Sequence, residues 1–404
     1  MIELLAPAGD LECLQTALRF GADAVYLAGK QFGMRGGAKN FAPNELLEAV
    51  QLVHTMGKQV YVACNIIPHP SDMAALPAWL ETIATAGADA IIVSDLGVLK
   101  LAQQHAPGVA IHISTQAGVT NAETACALHE LGASRVVLAR ELTLEEITTI
   151  RAQTPAKLEL EMFVHGAMCV SYSGRCLLSN YLTGRDANGG ACTQPCRWNY
   201  ALVEETRPGV YLPIEEDTRG THIMHAQDLC LIEHIPALLA AGITSLKIEG
   251  RAKAAYYVAV IINAYRAVLD AVLQQQPAPA WALREPFLVS HREYCTGFAF
   301  AKPGERAHIS ETSGYIRTSE PIGIVQHCAA GRCHAMQRGR AFAGDVLQAV
   351  IPGQPPVELT LNDLQNEAGQ PIEATRHAGM LFSFLCHLTL PTGTILRLAK
   401  LPQR

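Results

Sequence analysis

Residues 3–28, ELLAPAGDLECLQTALRFGADAVYLA, hold the pattern on which the fold reading turns. A short apolar run (3–6, ELLA) is followed by an amphipathic stretch of helix length that opens after Asp10, and Gly21 precedes the next apolar run (24–27, AVYL). An aspartate before a helix accepts hydrogen bonds from first-turn N–H groups, and a glycine just past its end takes the left-handed C-cap conformation. The spacing therefore predicts strand, helix, strand.

The same unit recurs along the first 250 residues. Further runs at 60–64 (VYVAC), 90–93 (AIIV), 110–113 (AIHI), 135–138 (RVVL), 158–164 (LELEMFV) and 245–248 (SLKI) bring the total to eight. Pro43 and Thr143 open two of the intervening helical patterns, and Gly87, Gly132 and Gly242 stand before three of the runs. Runs apolar on both faces, alternating with helices, predict a parallel α/β architecture, a TIM-like (β/α)8 barrel. An open doubly wound sheet is the alternative. The interval between the seventh and eighth runs breaks the period, so an insertion over about 165–242 is expected at the carboxyl end of the barrel, the face where such barrels build sites.

The barrel is expected over 1–285, ending in the Pro-rich stretch QQQPAPAWALREP (274–286), with 286–313 as linker. Short segments such as EPIGIVQH, DVLQAVIP and TILRLA, punctuated by Gly, Pro and Asp, predict a small all-β barrel or sandwich over 314–404.

A hydrophobic share of 49% and a charged share of 17% suit a large buried core. A net charge of −6 argues against a protein that coats nucleic acid by bulk electrostatics, while leaving room for a local basic site. The opening MIELLAPAGDLECLQ has no basic region and too short an apolar run for a signal or a span, so a cytoplasmic protein without a membrane partner is expected. In that reducing compartment, twelve cysteines raise the prior for metal or redox roles over disulfides. Cys13, Cys64 and Cys126 fall in apolar patterns and read as core; Cys295, Cys328, Cys333 and Cys386 have no partner spacing and read as structural.

Polar residues stand at the carboxyl ends of the strands: Asn65, Asp95, Gln116, Arg140, His165, Glu249 and Arg251. They are expected to ring one mouth. Arg140, Lys247 and Arg251 supply cations there, and a guanidinium fork matches carboxylate or phosphate, so an anionic ligand is expected. Lys247 lies within its strand and could instead point to solvent or pair with Glu249. No catalytic group is singled out. The insertion adds Cys169 and Cys176 flanking VSYSGR, Cys192 and Cys196 flanking TQP, and Cys230 in HAQDLC. Thiolates gathered in one loop suit an iron–sulfur cluster, with zinc or redox thiols as alternatives. The C-x2-C knuckle of zinc modules is absent, as is the C-x3-C-x2-C triplet of radical enzymes. No G-x-S-x-G or H-E-x-x-H accompanies them, so a peptidase has no sequence signature for its nucleophile or metal.

The block ELEMFVHGAMCVSYSGRCLLSNYLTGRDANGGACTQPCRW (159–198) resembles the signature of the collagenase-like peptidase family of unclassified catalytic type. LLAPAGDLECLQTALRFGADAVYLAG (4–29), MHAQDLCLIEHIPALLAAGITSLKIEGRAKAAYYVA (224–259) and HREYCTGF (291–298) resemble it too. Within the family the resemblance lies nearest to proteins of prephenate-dependent hydroxylation of the tRNA wobble uridine. It implies oxygen-independent formation of 5-hydroxyuridine, a 4Fe-4S cluster, prephenate as anionic co-substrate, a tRNA anticodon loop as partner and an electron donor still to be named. By that resemblance Cys169, Cys176 and Cys192 are cluster ligands, with Cys230 as the fourth and Cys196 as its alternative. Arg140 and Arg251 are the candidates for the donor's carboxylates, with His165, Lys247 and Glu249 beside them, and Arg175, Arg185 and Arg197 for RNA phosphates. A peptidase and a non-enzymatic cluster-bearing partner are the other readings.

Overall fold

The computed structural model describes residues 2–34, 36, 38–169, 171, 173–197, 215–217, 220–222, 227–301 and 315–398. They fall into two units. The first comprises 1–18, 22–253 and 292–314, and the second 19–21, 254–291 and 315–404.

The first unit is the expected barrel. Strands β1 (Glu3–Pro7), β2 (Ala24–Ala28), β3 (Gln59–Cys64), β4 (Ala90–Val93), β5 (Ala110–Ile113), β6 (Ala133–Val137) and β7 (Glu159–Ala167) pair in order, each parallel to the next. Two short strands of the insertion, β8 (Glu215–Asp217) and β9 (Gly220–His222), pair with each other, and β10 (Asp228–Cys230) returns antiparallel to β7. β11 (Ser245–Ile248) then pairs parallel with both β7 and β1 and closes the ring of eight. All eight expected runs land on these strands, because strands buried on both faces leave unbroken apolar stretches in the sequence.

The interior is lined by alternate residues, small or aromatic on most strands: Leu5, Ala24, Tyr26, Ala28, Tyr61, Ala63, Ala90 and Ile92 pack together. Three further inward positions are charged. Glu161 and Lys247 are buried, and Arg135 joins them from β6. Lys247 thus points neither to solvent nor to Glu249; its ammonium meets Glu161 at 2.6 Å.

The stretch 286–313, expected as linker, contributes structure of its own. β12 (Tyr294–Cys295) pairs parallel with β10, and Arg292 makes a buried ion pair with Asp228, Nη2 to Oδ1 2.8 Å. The boundary expected at 285 also moves, since 254–291 belong with the second unit. There the helix Ala255–Leu273 buries Asn263, whose side chain accepts from Gly353 N at 2.8 Å, and Glu285 forms a two-pronged pair with Arg397, 2.7 Å on each side. That helix is apolar and long enough to cross a membrane, but most of it is buried inside the protein.

The rest of the second unit is an antiparallel seven-stranded sheet. Its strands are β13 (Glu320–Ala329), β14 (Arg332–Gln337), β15 (Val346–Val350), β16 (Val357–Thr360), β17 (Asn362–Asn366), β18 (Leu381–Leu385) and β19 (Ile395–Leu398), in the order β16-β15-β19-β13-β14-β18-β17. Ile322, Val325, Phe382, Phe384 and Leu396 form its core. Cys328 and Cys333, expected to lack a partner, face each other across the β13–β14 hairpin and form a disulfide. The turn between them, Ala330-Gly331, has φ of 50° and 74°, the positive pair that a two-residue hairpin requires.

Candidate functional site

The carboxyl ends of the strands open into a cavity of about 50 Å³, lined by Tyr26, Asn65, Gln116, Arg140, Phe163, Lys247, Glu249 and Arg251 among others. Tyr26, Phe163 and Lys247 point in from their strands, and Asn65, Gln116, Arg140, Glu249 and Arg251 follow the ends of theirs. Asn65 follows β3 and is fixed by Ser114 Oγ at 3.2 Å and by Met34 N, which donates to its Oδ1 at 3.2 Å. Arg251 is buried and donates to Asn40 Oδ1 at 3.3 Å. Gly9 makes room for it, since a Cβ there would stand 2.0 Å from the Arg251 carbonyl oxygen.

Arg140 is 7% exposed. Its Nη1 donates to Ala167 O at 3.1 Å and its guanidinium lies 5.6 Å from the Phe163 ring centre, while its buried Nε has no hydrogen-bond partner among the described residues. A buried donor left unmade is costly unless a ligand completes it.

Lys247 sits on the cavity floor between the rings of Tyr26 (4.5 Å) and Phe163 (5.3 Å). Beneath it, Glu161 takes Lys247 on one oxygen and Arg135 Nη1 at 3.0 Å on the other. Burial pushes the Glu161 carboxyl up, but these two cations outweigh burial and hold it at about 2. Arg135 also reaches Glu3 at 2.6 Å and Glu159 at 2.7 Å. His112, in the same layer, is driven down to about 3 by burial and then by Arg135, so it stays neutral at physiological pH.

Two members of the expected ring lie elsewhere. Asp95 caps the helix Leu96–His105, accepting from Gly97 N at 2.8 Å and Val98 N at 3.1 Å. His165 is buried to 1%, with Tyr294 Oη 3.4 Å from its Nε2, and does not line the mouth. Tyr26, Ser114, Thr115 and Phe163 line the mouth too; strand parity is the signal for Tyr26 and Phe163, and position just past the end of β5 is the signal for Ser114 and Thr115.

Beside the mouth lies a second cavity of about 70 Å³, and Met34, Gln116 and Arg140 line both. Its other walls bring Cys169, Cys176, Cys192 and Cys196 together from the insertion. Cys230 is not among them; it lies on β10 opposite His165. The loop that carries Cys169 and Cys176 is seated on the barrel by Ser173 N, which donates to Glu141 Oε1 at 2.9 Å, and by Gly174, where a Cβ would fall 2.1 Å from Gln116 O. Among the described residues that line this cavity there is no aspartate, glutamate or histidine, and four thiols are on offer, a set that suits an iron–sulfur cluster or another soft metal. Among the described residues these side chains share a cavity without being drawn in to a finished coordination set. Arg175 and Arg185 are exposed on the same insertion. The side chain of Arg197, the third basic residue singled out there, lies outside the described residues.

Comparison with known proteins gives this geometry a lineage. The chain is 35% identical to "tRNA hydroxylation protein P1" of Bacillus subtilis, over 98% of this chain and 95% of that one. It is 37% identical to "tRNA hydroxylation protein P" of Escherichia coli, over 91% and 90%. It is also 34% identical to a "Collagenase" of Porphyromonas gingivalis, over 67% and 66%. Residues 317–397 match the C-terminal domain model of peptidase family U32 and residues 9–309 match the model of the family itself, so the chain belongs to peptidase family U32.

Proposed function

We propose that this protein is an oxygen-independent RNA hydroxylase that forms 5-hydroxyuridine at the tRNA wobble position, with prephenate as oxygen donor and a 4Fe-4S cluster, in the cytoplasm. The observation that carries the reading is the shared wall: Arg140 and Gln116 belong at once to a cation-lined mouth and to a cavity of four cysteines. The names of the near-full-length relatives point to the same chemistry.

Cys169, Cys176 and Cys192 would hold the cluster, with Cys230 or Cys196 as fourth thiolate. Bound there, a cluster supplies one-electron transfer or activation. The chain's own residues do the rest. Arg140 offers its buried Nε and the fork of Arg251 stands across the mouth, a pair suited to two carboxylates. Lys247 adds charge at the floor, and Glu161 holds that ammonium in place from below. Tyr26 and Phe163 give the ligand's ring an apolar wall and exclude water around it. An anticodon loop suits such a mouth, because its bases splay out without unpairing a duplex.

A peptidase reading asks for a nucleophile with a base. Among the described residues that line the mouth there is no histidine or cysteine, and Ser114 Oγ is engaged by Asn65. The test is nucleoside mass spectrometry of tRNA from cells lacking the protein, complemented with wild type, Arg140→Gln or Cys169→Ala. The reading expects 5-hydroxyuridine restored by wild type alone. Its persistence without the protein, or collagen cleavage by the purified Cys169→Ala variant, would overturn it.

A further inference from the structure

A third opening lies outside the mouth, between the loops that follow β2 and β3 and the insertion. It is larger than the other two, about 540 Å³, and Cys192 lines it as well as the cysteine cavity, so it shares a wall with the proposed cluster site. Its floor is glycine. Gly36 N donates to Gly190 O at 3.3 Å, and Gly190 has φ of 87° and stands so close to Gly33 that a Cβ would fall 2.7 Å from the Gly33 carbonyl oxygen. Ile67 N donates to Asn188 O at 2.9 Å alongside. Three backbone segments are thus hydrogen-bonded into one surface, whose glycines carry no side chain to fend off a ligand.

Among the described residues lining this groove, Lys30 and Arg185, both exposed, are the cations, against one carboxylate, Asp72, whose Oδ2 already accepts from His69 N at 2.7 Å. Arg185 follows Gly184, the left-handed glycine that ends the helix Leu178–Thr183. On that helix Tyr181 is 82% exposed, unusual for an aromatic ring, with Leu177 and Leu182 exposed around it. The helix is held from behind: buried Ser179 contacts Thr193 Oγ1 at 3.0 Å and accepts from Thr193 N at 3.1 Å, next to Cys192. Tyr181 is therefore presented outward on an anchored support.

We propose that single-stranded RNA reaches the site along this groove, its phosphates on Lys30 and Arg185 over the glycine floor and one base stacked on Tyr181. This rests on the RNA reading above and adds the path to it. A local pair of cations with an exposed ring is what a chain of net charge −6 requires to hold a polyanion, since bulk attraction is absent. Stacking on an aromatic face tolerates any base, so the groove grips the strand while the mouth selects the nucleotide.

The test is fluorescence anisotropy of the anaerobically purified full chain with a labelled, unmodified anticodon stem-loop RNA, titrated at several salt concentrations. Tyr181→Ala weakens binding about 5- to 150-fold, the size of one base–aromatic stack, and Tyr181→Phe restores it. Lys30→Gln with Arg185→Gln lowers the slope of log affinity against log salt by roughly 0.7 for each lost phosphate contact. Iron content and melting temperature serve as controls, since all three side chains are exposed. If wild type binds the RNA and these variants bind it with equal affinity and equal salt slope, the groove is not the path and the RNA reading stands. If wild type does not bind, the RNA reading falls and the groove with it.

Discussion

Glu161 and Lys247 form a buried ion pair, Oε1 to Nζ 2.6 Å, with Lys247 facing the mouth and Glu161 below it. Removing one member of such a pair strands the other charge without water, which costs about 3–5 kcal/mol. Glu161→Gln is expected to lower unfolding free energy by that amount in urea denaturation, because Lys247 and Arg135 both lose their shared carboxylate. A loss below about 1 kcal/mol would show that the pair does not organise the barrel interior.

His112 gives the barrel an acid sensitivity. Its folded pKa of about 3 lies below the ordinary 6.5, so the unfolded chain binds the extra proton and stability is full above pH 6.5 and declines as pH falls toward 3. Glu161, shifted from 4.5 to about 2, adds its own loss only below about pH 4.5. Between pH 6.5 and 4.5 wild type is therefore expected to lose up to ~1.4 kcal/mol per pH unit relative to His112→Gln, measured by urea unfolding at each pH. Parallel pH profiles would contradict this.

Arg140 is expected to contribute affinity for a carboxylate ligand through its buried Nε. Arg140→Lys keeps the charge and loses the fork, and calorimetric titration with prephenate is expected to show binding weakened roughly 10- to 100-fold, as for loss of one or two charge-assisted hydrogen bonds. Unchanged affinity would place the ligand elsewhere.

Gly174 seats the cysteine loop on the barrel at φ of 73°, with no space for a Cβ against Gln116 O. Gly174→Ala is expected to displace Cys169 and Cys176 and to lower iron retained per chain, at unchanged far-ultraviolet circular dichroism. Full iron content in this variant would show that the loop's seating does not set the cysteine positions.

The barrel was readable because its strands are buried on both faces, and the same property hid the interior. Ser245 and Lys247 alternate with Leu246 and Ile248, yet nothing in four residues says which parity faces inward, so the Glu161–Lys247 pair emerged only from the structure. Asp95 was misplaced by its position after β4, although an aspartate directly before a helix is an N-cap signal in its own right. His165 stands near the carboxyl end of β7, but it follows the bulge where β7 pairs with β11, and there it lies opposite Ile248 rather than continuing the inward row of Glu161 and Phe163. β12 is two residues long and its partner lies 66 residues away, a pairing no local pattern announces. The cysteines were legible as a group but not as a ligand set, since Cys196 shares the cavity and Cys230 lies on β10.

The most direct test is iron and acid-labile sulfide per chain, with visible absorption, in anaerobically purified wild type, Cys169→Ala, Cys196→Ala and Cys230→Ala. The account predicts about four irons per chain in wild type, the content of one 4Fe-4S cluster, lost in Cys169→Ala and in one of the other two, which thereby names the fourth ligand. Zinc in place of iron, or no metal in freshly prepared protein, would contradict it and return the peptidase reading to first place.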